Sequence, residues 1–490
     1  MTANLEESRR HRLSQLDHLL PHNSPGDDVR FVFHGIAQRH SVALEVVGPH
    51  LAGGNEARSG GDLGQVYTPE GEGRVGSAGG FTPSITYNAA SQPTVLQTSC
   101  QNGTCYPITY TYDPNTLRMT NYSAAITGGT ISGAMNWNPN GSLQSLTIAD
   151  PFNAADNQTC TYSADDLGRL AGVNCGSTWA QNFSFDPFGN LTKSGSISWQ
   201  PGYDASTNHY TLGGTSYDAD GNLLNDTFNT YTWDVDGKNL STYYSSSGQT
   251  FSFINDAFGH HVEMSNGSYA FSYLALGKFK LSPTGQTPSY SEYPLPGGSV
   301  LSQGGGATGV QLADWLGTIR AEYSYTGGSY QFSSAHAPFG ETYSSTAGYP
   351  EGFAGNGGIG WGQSGDGVMG NTTYWFPERF LRSSQGRWLT PDPAGMDAAD
   401  LGNPQTWNRY AYVMNNPLSW LDPLGLAKCP PNDPYCEDVT APPPDDYSMI
   451  FDDARTPGFQ HFFRRLECAN KFANNHSLAA AFGAQNTFLG

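Results

Sequence analysis

The sequence predicts an all-β protein, a long antiparallel sheet of short strands joined by tight turns. Three observations predict it. The 490-residue chain holds 60 Gly, 27 Tyr and 25 Phe against only 23 Lys plus Arg, a composition that favours hairpins over helices. From Phe81 a pattern recurs: an aromatic residue, Asp or Asn, a turn carrying Asn, Asp or Gly, then an apolar residue. Finally, the first copies are evenly spaced, as repeat architectures require.

Residues 1–80 read differently. They carry half of the histidines, no lysine and no hydrophobic periodicity, so a disordered leader is expected. A start codon further downstream would make this stretch foreign to the fold. The repeat copies follow at Tyr87-Asn88, Tyr112-Asp113, Trp137-Asn138, Tyr162-Ser163, Phe185-Asp186, Tyr217-Asp218 and Trp233-Asp234, with a degenerate copy over 254–260. Each position has a physical task. The aromatic residue ends one strand and is expected to stack on the equivalent ring of the next repeat. Asp or Asn opens the turn by accepting backbone N–H groups, and Gly supplies positive φ. No single hairpin buries its own face, so stability must come from stacked neighbours.

Residues 260–345 continue the strands, with further turn units at 314–320 and 337–341. The Gly-dominated stretch 355–371 reads as a loop. Asp-x-Asp-Gly at 218–221 and 234–237 resembles a calcium loop but lacks the later Glu, so hairpin turns are the expectation there. After Leu426 come a Pro/Asp-rich linker and a short helix over 456–472.

Charge and cysteines narrow the partners. A net charge of −20 argues against nucleic acid and against an anionic membrane surface. No apolar run reaches the length of a membrane span, and no metal or cofactor motif stands out. Of seven cysteines, six fall into local pairs: Cys100 with Cys105, Cys160 with Cys175, and Cys429 with Cys436. Disulfides are the first reading, ahead of free thiols and of metal binding. They imply an extracellular or cell-envelope location, whereas the N-terminus lacks the apolar core of a signal peptide.

The repeats resemble YD repeats, and the block after them resembles the core segment of Rhs proteins and of Tc-toxin C components. The matching stretches are 314–320, 338–341 and 353–355. More specific are Gly386-Arg387-Trp388-Leu389-Thr390-Pro391-Asp392-Pro393, then Asn408-Arg409-Tyr410-Ala411-Tyr412-Val413-Met414-Asn415-Asn416-Pro417 and Asp422-Pro423-Leu424-Gly425-Leu426. The resemblance implies a spiralling sheet, here a partial β-cocoon, that encapsulates or presents a variable C-terminal effector, with a shell over 81–345, a core over 346–426 and a C-terminal tip over 427–490. It also implies self-cleavage between Leu426 and Ala427 by Asp392 and Asp422, supported by Arg387.

The residue chemistry suits that task. Two nearby carboxylates cannot both ionise cheaply, so one keeps a proton while the other activates water. Against this, Asp-Pro is a common turn opener, and both aspartates have a second reading as turn caps. The expected partners are the chain's own C-terminal segment, then secretion machinery, an immunity protein or surface glycan. A competing function is a non-catalytic cell-surface protein whose rings bind glycan or another protein.

Overall fold

Strand alternation decides what this chain buries. The computed structural model describes most residues between 67 and 431, the longest gaps being 282–289 and 360–371. Ala427, Cys429, Cys436 and the helix expected over 456–472 lie outside the described residues. The chain forms two units, 1–80 and 81–490. In the first, Tyr67–Pro69 pairs antiparallel with Val75–Ala78, closed by an ion pair from Arg74 to Glu70 at 2.7 Å. Part of the stretch expected to be disordered is therefore a hairpin.

In the second unit, sheets of ten, eight, six and four strands follow one another over 84–195, 216–281, 290–345 and 358–388. Within each sheet the strands lie in chain order, and each pairs antiparallel with its sequence neighbour. This is a hairpin meander, as the repeat predicts. Helical structure among the described residues is confined to 3-10 turns of three or four residues. The strand Gly129–Trp137 shows the alternation, burying Ile131, Gly133 and Met135 while Thr130, Ala134 and Asn136 face solvent.

The third sheet lies across the buried face of the first. Phe152 stacks on Tyr330 (5.0 Å), Trp179 meets Tyr343 (5.4 Å) and Phe183 meets Phe339 (5.4 Å). Hydroxyls join the same layers, Tyr110 to Ser299 at 2.7 Å and Thr98 to Tyr323 at 2.6 Å. The second sheet buries Leu223, Tyr231, Phe251, Phe253 and Met264 against Phe380 and Leu389. The described residues of 290–426 thus fill the face that the hairpins turn inward. Among the described residues two disulfides are present, Cys100–Cys105 and Cys160–Cys175, and the second joins neighbouring strands of the first sheet.

The turns follow one rule. The Oδ1 of Asp186 accepts the N–H of Phe188 and of Asn190, both at 2.9 Å. Asp218, Asp234 and Asp314 treat the residues two and four ahead the same way, at 2.8–3.1 Å. The Asp-x-Asp-Gly stretches are such turns. In the fourth copy the turn opens on Asp165, not at Tyr162-Ser163, which lies within the strand Gln158–Ala164. Tyr203-Asp204, missing from the repeats read off the sequence, opens another, with Asp204 holding the N–H of Ser206 and Thr207.

At three of the repeats, the polar tip of the ring, rather than a stack on the equivalent ring, makes the bond to the preceding copy. Trp137, Tyr203 and Trp233 donate to the carbonyls of Met119, Leu191 and Leu223, at 2.7, 2.5 and 2.8 Å. Each acceptor is the apolar residue leaving the preceding turn. The residue before that acceptor often covers the next ring: Arg118 over Trp137, Arg169 over Phe185, His209 flat on Tyr217 at 3.8 Å. A half-buried ring with one wet edge favours a donor bond over a ring pair.

Two predictions follow from this core. Gly133 lies opposite Tyr122, whose fully buried ring leaves a Cβ at Gly133 only 2.2 Å from the ring carbon bearing its hydroxyl. Gly133→Ala should lower stability by about 1–3 kcal/mol, read as a shift in the urea midpoint. His336 is buried, and burial, then the charge of Arg320, holds its pKa well below 6.5. The unfolded chain therefore binds the proton first, so stability is full above about pH 6.5 and falls as pH drops below it. Melting temperatures should decline between pH 7 and 5, and His336→Phe should flatten that decline.

Candidate functional site

The segment 387–416 is docked along the rim of the hairpin turns through donors aimed at backbone carbonyls. Asn416 donates to Gly168 (2.8 Å), Asn415 to Gly189 (2.9 Å), Arg387 to Asn208 (3.0 Å) and Tyr410 to Gly221 (2.7 Å). All four acceptor residues have positive φ and sit at the same place in their turns. There the carbonyl faces outward, without a strand partner. Gly221 shows why the position stays small, since a Cβ there would stand 2.7 Å from the Tyr410 hydroxyl. To reach the rim, Val413, Met414 and Asn415 all adopt left-handed backbone, at φ 41°, 54° and 62°, a conformation that costs L residues energy.

Arg387 belongs to this rim. Its guanidinium lies 4.4, 5.0 and 5.3 Å from the ring centres of Tyr410, Tyr210 and Tyr203. Tyr410 spends its proton on Gly221, so it accepts from His209 Nε2 at 2.9 Å. Burial first, and Arg387 second, hold His209 below its ordinary pKa.

The cation between the two aspartates is Arg379, which the sequence reading missed. Its Nη2 lies 3.1 Å from Asp392 Oδ2 and 3.4 Å from Asp422 Oδ2. Nε donates to the carbonyl of Gly425, Nη1 to that of Arg409 at 3.3 Å, and the group rests 4.4 Å from the Trp388 ring centre. Arg379 and Asp422 are each 4 % exposed. At that depth a guanidinium fork offsets the repulsion between two carboxylates. Arg387, expected to support the pair, is placed by these contacts among the tyrosines instead. No spacing marks Arg379 in the sequence, since it follows Pro377 and Glu378 in an ordinary-looking turn.

Both aspartates also cap turns. Asp392 Oδ1 accepts the N–H of Ala394 at 3.0 Å, and Asp422 Oδ1 accepts that of Leu426 at 2.8 Å. Gly425 has φ 77°, matching Gly189 at 76°. Asp422–Leu426 is thus a repeat-type turn placed beside a second carboxylate. Its first oxygen shapes the chain, and its second meets Arg379. The turn is gripped at three backbone atoms: the N–H of Leu426, the carbonyl of Gly425 and the carbonyl of Leu424, which accepts from Glu378 N at 2.9 Å. Among the described residues no cluster of three or more His, Cys, Asp or Glu is arranged to hold a metal.

Meander, docked core segment and packed sheets together define an Rhs-type β-shell fold. Solved structures of Tc-toxin complexes are similar to it. TcdB2–TccC3 without its hypervariable C-terminal region matches with a TM-score of 0.59 at 16% identity, over 74% of this chain and 20% of that one. The complex of TcdB2–TccC3 with Cdc42 gives 0.58 with the same identity and coverage, and a Photorhabdus luminescens Tc holotoxin pore gives 0.59. The chain therefore spans about a fifth of the length of the structures it matches. No family model matches the sequence, and no curated protein does. No helix among the described residues is long and apolar enough to cross a membrane.

The rim contacts make a direct prediction. Asn415 has a left-handed backbone and a donor side chain. Asn415→Gly keeps the first and loses the second, costing about 1 kcal/mol, and Asn415→Ala loses both, costing about 2 kcal/mol or more. Thermal melts of the two variants should rank in that order.

Proposed function

We propose that this β-shell protein presents a C-terminal segment and cuts it free by hydrolysing its own Leu426–Ala427 bond. The observation that carries the reading is the convergence of Asp392 and Asp422 on Arg379, with the Leu426 amide held by Asp422. In the proposed step one carboxylate takes a proton from a water that attacks the Leu426 carbonyl carbon. The other, starting as the protonated acid, delivers its proton to the Ala427 nitrogen, the C–N bond breaks, and the water oxygen stays on Leu426. Holding the bond in the same chain gives a high effective concentration, enough for a single turnover.

Presentation is favoured over hollow encapsulation, because the described residues of 290–426 occupy the inward face of the hairpins. The resemblance to Tc-toxin complexes supports a place in toxin delivery, outside the cell, with the released tip as the active part. Secretion machinery and an immunity protein are partners of that reading. The competing reading, glycan or protein binding by exposed rings, is weakened by how those rings are used. Trp137, Tyr203 and Trp233 are half-buried and bonded to neighbouring carbonyls.

Intact-mass analysis of the purified full chain tests the proposal. Wild type should yield two fragments that break between Leu426 and Ala427. Asp392→Asn and Asp422→Asn should slow the break roughly 10²–10⁴-fold, while Asp113→Asn, altering an exposed turn cap, should not. An intact wild type, or unchanged cleavage in both Asn variants, would sink the idea.

A further inference from the structure

We infer that the Lys238–Glu378 ion pair is a positioning contact that makes cleavage wait for the second sheet to fold, an inference that rests on the self-cleavage reading. Lys238 closes the turn 234–238, its N–H bonded to Asp234 Oδ1 at 2.8 Å. In three other repeats the residue at that position covers the next ring. In two more, Asn190 and Asn222 bond back to their own turn aspartates, whereas Lys238 reaches out of its turn. Its ammonium pairs with the carboxylate of Glu378, the two side chains only 8 % and 18 % exposed.

Glu378 precedes Arg379 in the turn between the strands Thr373–Trp375 and Phe380–Arg382, closed by Phe376 N to Arg379 O at 2.9 Å. Its own N–H holds the carbonyl of Leu424, two residues before the scissile bond's acyl residue. The ion pair therefore fixes, from the second sheet, both the backbone under Arg379 and the turn leading to Leu426. The other carboxylate is clipped to the shell as well. Asp392 N donates to Arg409 O at 3.0 Å. The neighbours of Arg409, Asn408 and Tyr410, bond Asn190 and Gly221 in two further turns. Each charged group of the site thus hangs from backbone that a separate turn positions. A chain whose second sheet is unformed lacks the Lys238 anchor, and Arg379 cannot gather both carboxylates around Leu426.

A solvent-exposed pair would contribute little. This one is largely buried and joins residues 140 apart in sequence, so its removal should be felt locally at the site. The test compares wild type, Lys238→Met and the charge swap Lys238→Glu with Glu378→Lys, all as full chains. Two readouts are followed: the rate of the Leu426–Ala427 break, and hydrogen exchange of peptides covering 422–426 and, as a remote reference, 119–135. Lys238→Met should cut about 10–100-fold more slowly. It should exchange about tenfold faster over 422–426 and unchanged over 119–135, the signature of local rather than global opening. The swap should recover both. If wild type cuts and Lys238→Met cuts at the same rate, the positioning role is wrong. Faster exchange over both regions would reduce the pair to ordinary structural support and also overturn it. A wild type that stays whole rejects self-cleavage and takes this inference with it.

Discussion

The structure depends on one bond repeated many times: a carboxylate or amide oxygen accepting the N–H four residues ahead. That contact folds an otherwise unremarkable run of polar residues into a turn. It leaves one oxygen free and pushes one residue into left-handed backbone with its carbonyl outward. In most repeats the free oxygen meets a neighbouring side chain, as Asp186 meets Asn190 and Asp314 meets Arg320. At Asp422 it meets Arg379, as it does at Asp392, whose other oxygen holds the N–H two residues ahead instead. The site needs no new architecture, only two turns brought to the same guanidinium.

Much of this was legible in the sequence, for a physical reason. Side-chain alternation and turn chemistry are local, so the all-β class, the hairpin order and the roles of Asp186, Asp218 and Asp234 follow from residues a few positions apart. The short-range disulfides Cys100–Cys105 and Cys160–Cys175 were visible on the same grounds. Two errors were also local. The even spacing of the early copies drew Tyr162 into the series, whereas the turn follows the Asp at 165. Tyr203-Asp204 lacks the usual Gly and uses Asn208 at φ 61° instead.

What remained hidden is long-range. Arg379 gathers partners 13 and 43 residues away, and no periodicity announces such a meeting. Arg387 sits inside the more recognisable motif and attracted the role for that reason. Two of the three tyrosines around it and the turn carbonyl come from elements about 180 residues upstream. The folding of the third sheet over the first was equally invisible: its strands Ala307–Ala313 and Tyr330–His336 are buried over consecutive residues, yet nothing local says what covers them. A pattern says that a face is buried, not by what.

The way the core segment grips the rim has an evolutionary consequence. Asn415, Asn416, Arg387 and Tyr410 address main-chain carbonyls, and the residues that bear those carbonyls are of different kinds, Gly168, Gly189, Asn208 and Gly221. Recognition of this sort reads the main chain, and asks of the side chain only that it tolerate left-handed backbone and, at Gly221, stay small. Repeats can drift in sequence while the docking survives, provided each keeps a left-handed residue at its corner. Selection then acts on a handful of donors in one short segment, leaving the hairpins themselves free to diverge.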